Sequence, residues 1–166
     1  MTMIRSIVAL GFMLAASAAF GQTPVRALKF ADLQSYMAAQ AGQHTLVVNI
    51  WATWCRPCVK ELPYFEQAQQ IYANKGVKVL LVSVDFADEL ETKVAPFVKS
   101  KNMACEVVLL DESNPNSWID RVNKDWSGSI PVTFVVDKNG AYKAFHVGDF
   151  TPEALNQYID KIIQQQ

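Results

Sequence analysis

Two continuous apolar runs, Thr45–Ala52 (TLVVNIWA) and Val77–Val84 (VKVLLVSV), are separated by a stretch with helical periodicity, and this alternation limits the fold more than any other feature. Both runs are rich in β-branched and aromatic types and read as strands buried on two faces. Between them Leu62, Phe65, Ala68, Gln69 and Tyr72 recur near helical spacing, and Asn74-Lys75-Gly76 ends the segment. Two buried strands joined through a helix need a crossover connection, hence parallel pairing with helices covering the sheet.

The remaining segments extend the same pattern. Val25–Phe30 is extended and Asp32–Ala41 helical; Leu90–Lys101 reads as a helix with Pro96 inside it, which predicts a kink or a short start. Glu106–Leu110 is a third short strand, followed by a helix around Trp118–Val122. Val132–Asp137 and Tyr142–Val147 flank Lys138-Asn139-Gly140, where Asn-Gly supplies the positive φ of a hairpin turn. Thr151-Pro152-Glu153 starts a last helix with an N-cap, a proline and an acid against the dipole, and Leu155, Tyr158, Ile159, Ile162 and Ile163 form its apolar face. The expectation is one α/β domain: a central mixed sheet with helices on both faces and an antiparallel edge. A length of 166 residues suits one such domain. A net charge of −1, with no basic block, offers no footprint for nucleic acid or anionic lipid.

Residues 1–21 read differently. Arg5 is their only charge, Ile7–Phe20 is apolar apart from Ser17, and Ala16-Ser17-Ala18 and Ala19-Phe20-Gly21 each offer a small-x-small exit. This is the layout of a secretory signal peptide, cleaved near Ala18 or Gly21, leaving residues 22–166 as the domain. The alternative is an uncleaved membrane anchor, although the run falls short of the roughly 20 residues a spanning helix needs. No Cys follows the apolar core, so a lipid anchor is not indicated. An exported, periplasmic chain would carry its thiols into an oxidising compartment.

The chemistry concentrates in Trp51-Ala52-Thr53-Trp54-Cys55-Arg56-Pro57-Cys58. Two cysteines separated by two residues, at the end of a strand and opening a helix, lie one turn apart on one face, close enough to form and break a disulfide. Cys55 faces the unpaired N–H groups of the helix start, which with the adjacent Arg56 favour a thiolate. Cys58 lies deeper and resolves the mixed disulfide that Cys55 forms. Pro57 stiffens the turn and has no N–H to leave unpaired.

The string WATWCRPCVKELP resembles the active-site signature of the thioredoxin superfamily, and more narrowly that of secreted TlpA/ResA/DsbE-like thiol-disulfide oxidoreductases. Ser129-Ile130-Pro131-Val132-Thr133-Phe134 is similar to a second family motif. The resemblance implies that Pro131 is cis and packs beside the two cysteines, and that Ile130 offers backbone groups to an extended substrate segment. It also implies a thioredoxin-like fold with an extra helix and strand between the CxxC helix and the proline strand. The match covers roughly residues 25–165. Two positions depart from the pattern. Asn49 stands where thioredoxins carry a buried Asp; many TlpA/ResA-like proteins place a Glu after the next strand, where this chain has Val84-Asp85-Phe86. Asp85 is a candidate for proton transfer at Cys58, set against its reading as an ordinary surface loop acid.

The activity implied is exchange of a Cys55–Cys58 dithiol or disulfide with protein substrates, in the reducing direction, for cytochrome c maturation or a similar task. The implied partners are protein thiols and a membrane thiol electron donor, with the chain a monomer and no cofactor needed. A peroxiredoxin-like peroxidase would want Thr-x-x-Cys, and Thr53-Trp54-Cys55 lacks that spacing. A non-catalytic module that binds a partner or metal through the same surface is the reading from another class. Structural zinc needs four ligands, and Cys105, His44 and His146 are scattered, so no metal site is expected. A copper site using His146 and the CxxC has no support, and His146 is read as structural. Cys105 is read as a small core thiol rather than a partner in a mixed or intermolecular disulfide. Trp51 and Trp54 can both be core aromatics, but Trp54, directly before Cys55, is expected to cover the disulfide and shape the docking surface.

Overall fold

A computed structural model describes residues 23–165, so the expected signal segment 1–21 lies outside the described residues. Six strands form one sheet: β1 (Arg26–Leu28), β2 (Thr45–Trp51), β3 (Val77–Ser83), β4 (Glu106–Leu110), β5 (Val132–Val136) and β6 (Tyr142–Val147), in the order β1-β4-β3-β2-β5-β6. The first four are mutually parallel, while β5 runs antiparallel to β2 and β6 antiparallel to β5. Among the described residues the α-helices are α1 (Phe30–Ala41), α2 (Arg56–Tyr72), α3 (Ala95–Ser100), α4 (Ile119–Val122) and α5 (Pro152–Ile163). This is the expected α/β architecture, and β3, α3, β4 and α4 lie between α2 and the strand that follows Pro131. No described helix is long and apolar enough to cross a membrane.

Side chains alternate across each strand, so the buried runs feed two cores. Val47, Trp51, Val79, Leu81, Val107, Leu109 and Val135 meet Phe65, Ala68, Leu155 and Ile159 of α2 and α5. Leu46, Val48, Ile50, Leu80, Val82 and Phe134 meet Phe30, Leu33 and Met37 of α1, with Trp118 and Trp126. Strand β2 lies between β3 and β5 and is buried along its whole length, which explains its lack of polar alternation.

Three local differences from the sequence reading have physical causes. Helix α1 begins at Phe30 instead of Asp32, because Glu112 Oε1, at the exit of β4, accepts the Phe30 N–H at 2.9 Å. The expected Leu90–Lys101 helix divides into a π-helical turn over Leu90–Val94 and α3, with Pro96 in the first turn of α3, where its missing N–H costs nothing. In the β5–β6 hairpin only Gly140 has positive φ, at 79°. Asp137 Oδ1 holds that turn by accepting the N–H groups of Asn139 and Ala141, each at 2.9 Å.

Candidate active site

Strand β2 delivers the chain to the start of α2, and the two cysteines sit at that junction. Cys55 is the N-cap residue of α2, and its Sγ accepts the Cys58 N–H at 3.3 Å. The sulfur therefore occupies the place where a helix gathers unpaired N–H groups and the positive end of its dipole. Cys55 and Cys58 form a disulfide with Cα atoms 5.3 Å apart. Cys58 is fully buried and Cys55 is 6% exposed, so the expected difference in depth is present. Pro57 lies in the first turn of α2, and Arg56 beside it is exposed.

The Ile130–Pro131 peptide is cis, as the resemblance implies. Ile130 packs against the core cluster that contains Cys55 and Cys58, and the Pro131 carbonyl accepts the Gly148 N–H at 2.9 Å. Trp54 is 62% exposed. With Ile130, Phe86 and Trp118 it lines a groove of about 550 Å³ that opens beside the CxxC turn. Trp51, by contrast, is a core residue, fully buried with its ring centroid 5.4 Å from that of Phe97.

Asp85 is no surface loop acid: it is 2% exposed. Its carboxylate accepts the Thr53 N–H at 2.9 Å, the Thr53 hydroxyl at 2.6 Å and the Ser83 hydroxyl at 2.7 Å. Asp85 therefore ties the end of β3 to the loop that carries Trp54 and Cys55. Both of its oxygens are committed to Thr53 and Ser83, which makes it an anchor of the site. Its burial was hidden in the sequence because Asp85 lies just past the end of β3, with further acids close behind at Asp88 and Glu89.

The sequence reading missed Glu61. This residue follows Cys58 by three positions, so the two share one face of α2, and both are fully buried. Glu61 Oε1 accepts from Asn49 Nδ2 at 2.9 Å, and Oε2 accepts the Phe150 N–H at 2.8 Å. Asn49 Nδ2 also donates to Thr133 Oγ1 at 3.0 Å. Burial pushes the Glu61 carboxyl up to about 7; the Phe150 N–H and the Asn49 amide oppose that push, and the charge of Asp149 adds to it. A buried acid one helical turn after the second cysteine, pushed up toward neutrality, suits the removal and return of a thiol proton. The available signal was the Cys58–Glu61 spacing, an i, i+3 pair in a helix whose inner face is otherwise apolar.

The other candidates take no part in this hydrogen-bond network. Cys105 is buried, its Sγ lies 3.6 Å from the Phe65 carbonyl, and burial followed by the nearby Glu66 charge pushes its thiol up. It is a core thiol, as expected. His146 stacks on Phe150 with centroids 4.0 Å apart. Among the described residues, no three His, Cys, Asp or Glu side chains gather as metal ligands.

Comparison with known proteins agrees with this geometry. The Redoxin family model matches residues 19–162. The thiol-disulfide oxidoreductase ResA of Geobacillus thermodenitrificans is 31% identical over 115 residues, covering 69% of this chain and 61% of the relative. The ResA of Bacillus cereus is 34% identical over 116 residues, with the same coverage. The thioredoxin-like protein YneN of Bacillus subtilis is 29% identical over 140 residues, covering 84% of this chain and 77% of YneN. The match thus spans less than two thirds of the length of the ResA relatives. Among solved structures, a thiol:disulfide interchange protein of the thioredoxin family from Chlorobium tepidum superposes with a TM-score of 0.61 at 25% identity, covering 76% of this chain and 83% of that one. StoA from Bacillus subtilis shares the fold, with a TM-score of 0.56 at 23% identity over 70% of this chain and 83% of StoA. The expected likeness to the ResA and DsbE type holds, and the chain belongs to the Redoxin family.

Proposed function

We propose that this chain is a thiol-disulfide oxidoreductase that works outside the cytoplasm, exchanging the Cys55–Cys58 dithiol with disulfides of protein substrates. The observation that carries the reading is Cys55 at the N-cap of α2, its sulfur held against the Cys58 N–H. In the reducing direction the Cys55 thiolate attacks one sulfur of the substrate disulfide. A bond forms between Cys55 and that sulfur, and the other substrate sulfur leaves as a thiolate and takes a proton from water. Cys58 then gives its proton to Glu61 and attacks the Cys55 sulfur, expelling the second substrate thiolate. Two electrons have passed to the substrate, and the chain is left as the Cys55–Cys58 disulfide. A thiol donor restores the dithiol by the reverse sequence.

The surrounding residues have roles in this scheme. Arg56 favours the thiolate of Cys55, Pro57 stiffens its turn, and Trp54, Ile130 and Pro131 shape the docking surface. The apolar leader 1–21 supports export to a periplasm-like compartment, with residues 22–166 as the working domain. The resemblance to the TlpA/ResA/DsbE branch supports a membrane-bound thiol donor, a monomeric chain and a task such as cytochrome c maturation.

Insulin reduction with dithiothreitol as the terminal reductant tests the activity. Wild-type protein shortens the lag before insulin precipitates, whereas Cys55→Ser restores the uncatalysed lag. Equal lags with and without wild-type protein overturn the reading in favour of a binding module.

A further inference from the structure

We propose that Asn49 is the positioning residue of the buried acid, an amide that turns over with the charge on Glu61. Its Nδ2 faces the carboxylate when that group is charged, and its Oδ1 faces the carboxyl once it holds a proton. The two ends of an amide have nearly the same shape and opposite hydrogen-bonding sense. A half turn of the side-chain amide therefore exchanges donor for acceptor without disturbing the packing.

Asn49 is fully buried on β2, between β3 and β5. Both Nδ2 hydrogens are committed, to Glu61 Oε1 at 2.9 Å and to Thr133 Oγ1 at 3.0 Å, while Asn49 Oδ1 has no hydrogen-bond partner. This arrangement suits a charged Glu61, which only accepts. A proton on Glu61 has two places to go. Oε2 is held by the main-chain N–H of Phe150, a donor that cannot reverse. A proton there would oppose one donor with another. Oε1 faces Asn49, which can reverse. After the half turn Oδ1 accepts both the Glu61 O–H and the Thr133 hydroxyl, which changes from acceptor to donor. A hydroxyl at position 133 can play either part. The Glu61–Asn49 hydrogen bond then survives in both charge states, and the acid can load and unload a proton while fully buried.

Several titratable or charged groups surround Glu61 and can bear on its titration. Cys58 precedes it on α2, and is held in the disulfide. Asp149, at the approach to α5, acts on it through charge and is paired with Lys60 at 3.8 Å. His146 of β6 is in register with Thr133 and stacks on Phe150. Tyr158 of α5 lies against Phe150 with ring centroids 5.2 Å apart. Of these, His146 carries the imidazole in register with Thr133, and its replacement serves as the control.

The benefit to Cys58 rests on the oxidoreductase reading above; the turning of the amide does not. The test therefore uses the disulfide form, in which neither Cys55 nor Cys58 titrates. Nuclear magnetic resonance follows the Glu61 carboxyl carbon and the Asn49 Nδ2 hydrogens across neutral pH. The expected result is one shared midpoint, with the Nδ2 hydrogens moving from bonded to unbonded shifts as pH falls. Asn49→Leu raises the Glu61 midpoint by about one pH unit, because the charge-assisted bond lost by the charged form is stronger than the neutral bond lost by the protonated form. Thr133→Ser preserves the joint titration, and His146→Gln leaves it in place. The proposal is overturned if the Asn49 hydrogens stay constant while Glu61 titrates, or if they follow His146 and lose their midpoint in His146→Gln. An unchanged Glu61 midpoint in Asn49→Leu overturns it too. Should Asn49→Leu fail to fold, the wild-type and Thr133→Ser titrations decide alone. A negative result here leaves insulin reduction untouched, and a failure of insulin reduction leaves the amide result standing.

Discussion

Glu61 shows what single residues hide in a sequence. In the string Cys58-Val59-Lys60-Glu61-Leu62 it stands beside a lysine and looks like half of a surface pair. In the structure Lys60 reaches Asp149 instead, while Glu61 is fully buried on the face of α2 that it shares with Cys58. The two cysteines were legible because their spacing is itself a chemical statement. The acid was not, because burial is a property of the helix face and of what packs on it. If Glu61 takes the Cys58 proton, Glu61→Gln slows resolution of the mixed disulfide by ~100-fold or more, the low end of general-base effects. The first attack by Cys55 keeps its rate. Quenched-flow mass spectrometry separates the two steps, and equal slowing of both removes Glu61 from the second. The role proposed for Arg56 is a gentler one. It is exposed, so solvent and salt screen its charge. Arg56→Glu lowers the reduction potential by about 10–30 mV, read against glutathione at low salt, since roughly 30 mV corresponds to 1.4 kcal/mol for two electrons. No movement of the potential at low salt removes the electrostatic role.

At the scale of elements, the strands were legible because they are pure apolar runs. The ends of helices were less so. Helix α1 starts early because of Glu112, which is distant in sequence, and the loop before α2 is held by Asp85 from the end of β3. Such long-range caps leave no local periodicity to read. Asp85→Ala strips the acceptor from the Thr53 N–H, the Thr53 hydroxyl and the Ser83 hydroxyl. Loss of these largely buried bonds costs about 1–3 kcal/mol. Denaturant unfolding reads the cost, and amide exchange locates it, with faster exchange at Thr53 and Cys55 and little change in α5. Uniform exchange changes throughout the chain contradict the anchoring role.

Across the whole molecule, three glutamates stitch distant segments through main-chain N–H groups. Glu112 holds Phe30, Glu66 holds Ala104 and Cys105, and Glu61 holds Phe150. The last of these joins the CxxC helix to the approach to α5 and gives folding a pH dependence. In the unfolded chain Glu61 titrates near its ordinary 4.5, and in the folded chain near 7. Between these values the folded state holds a proton that the unfolded state has lost, so this group's contribution to stability falls as pH rises and levels off above the upper value. The full swing is on the order of 3 kcal/mol, at 1.36 kcal/mol per pH unit. Unfolding of the disulfide form at several pH values shows this decline, and Glu61→Gln removes it. A wild-type profile that rises from mildly acidic to neutral pH contradicts the burial of this carboxyl.

Whether Cys55 is the attacking sulfur is decided by removing the residue that resolves its adduct. Reduced Cys58→Ala protein is mixed with a disulfide-linked peptide, quenched with acid and mapped by mass spectrometry. The expected product carries one peptide per chain, attached at Cys55, and no adduct forms when Cys55 is also replaced by alanine. An adduct at Cys105, or none at Cys55, contradicts it.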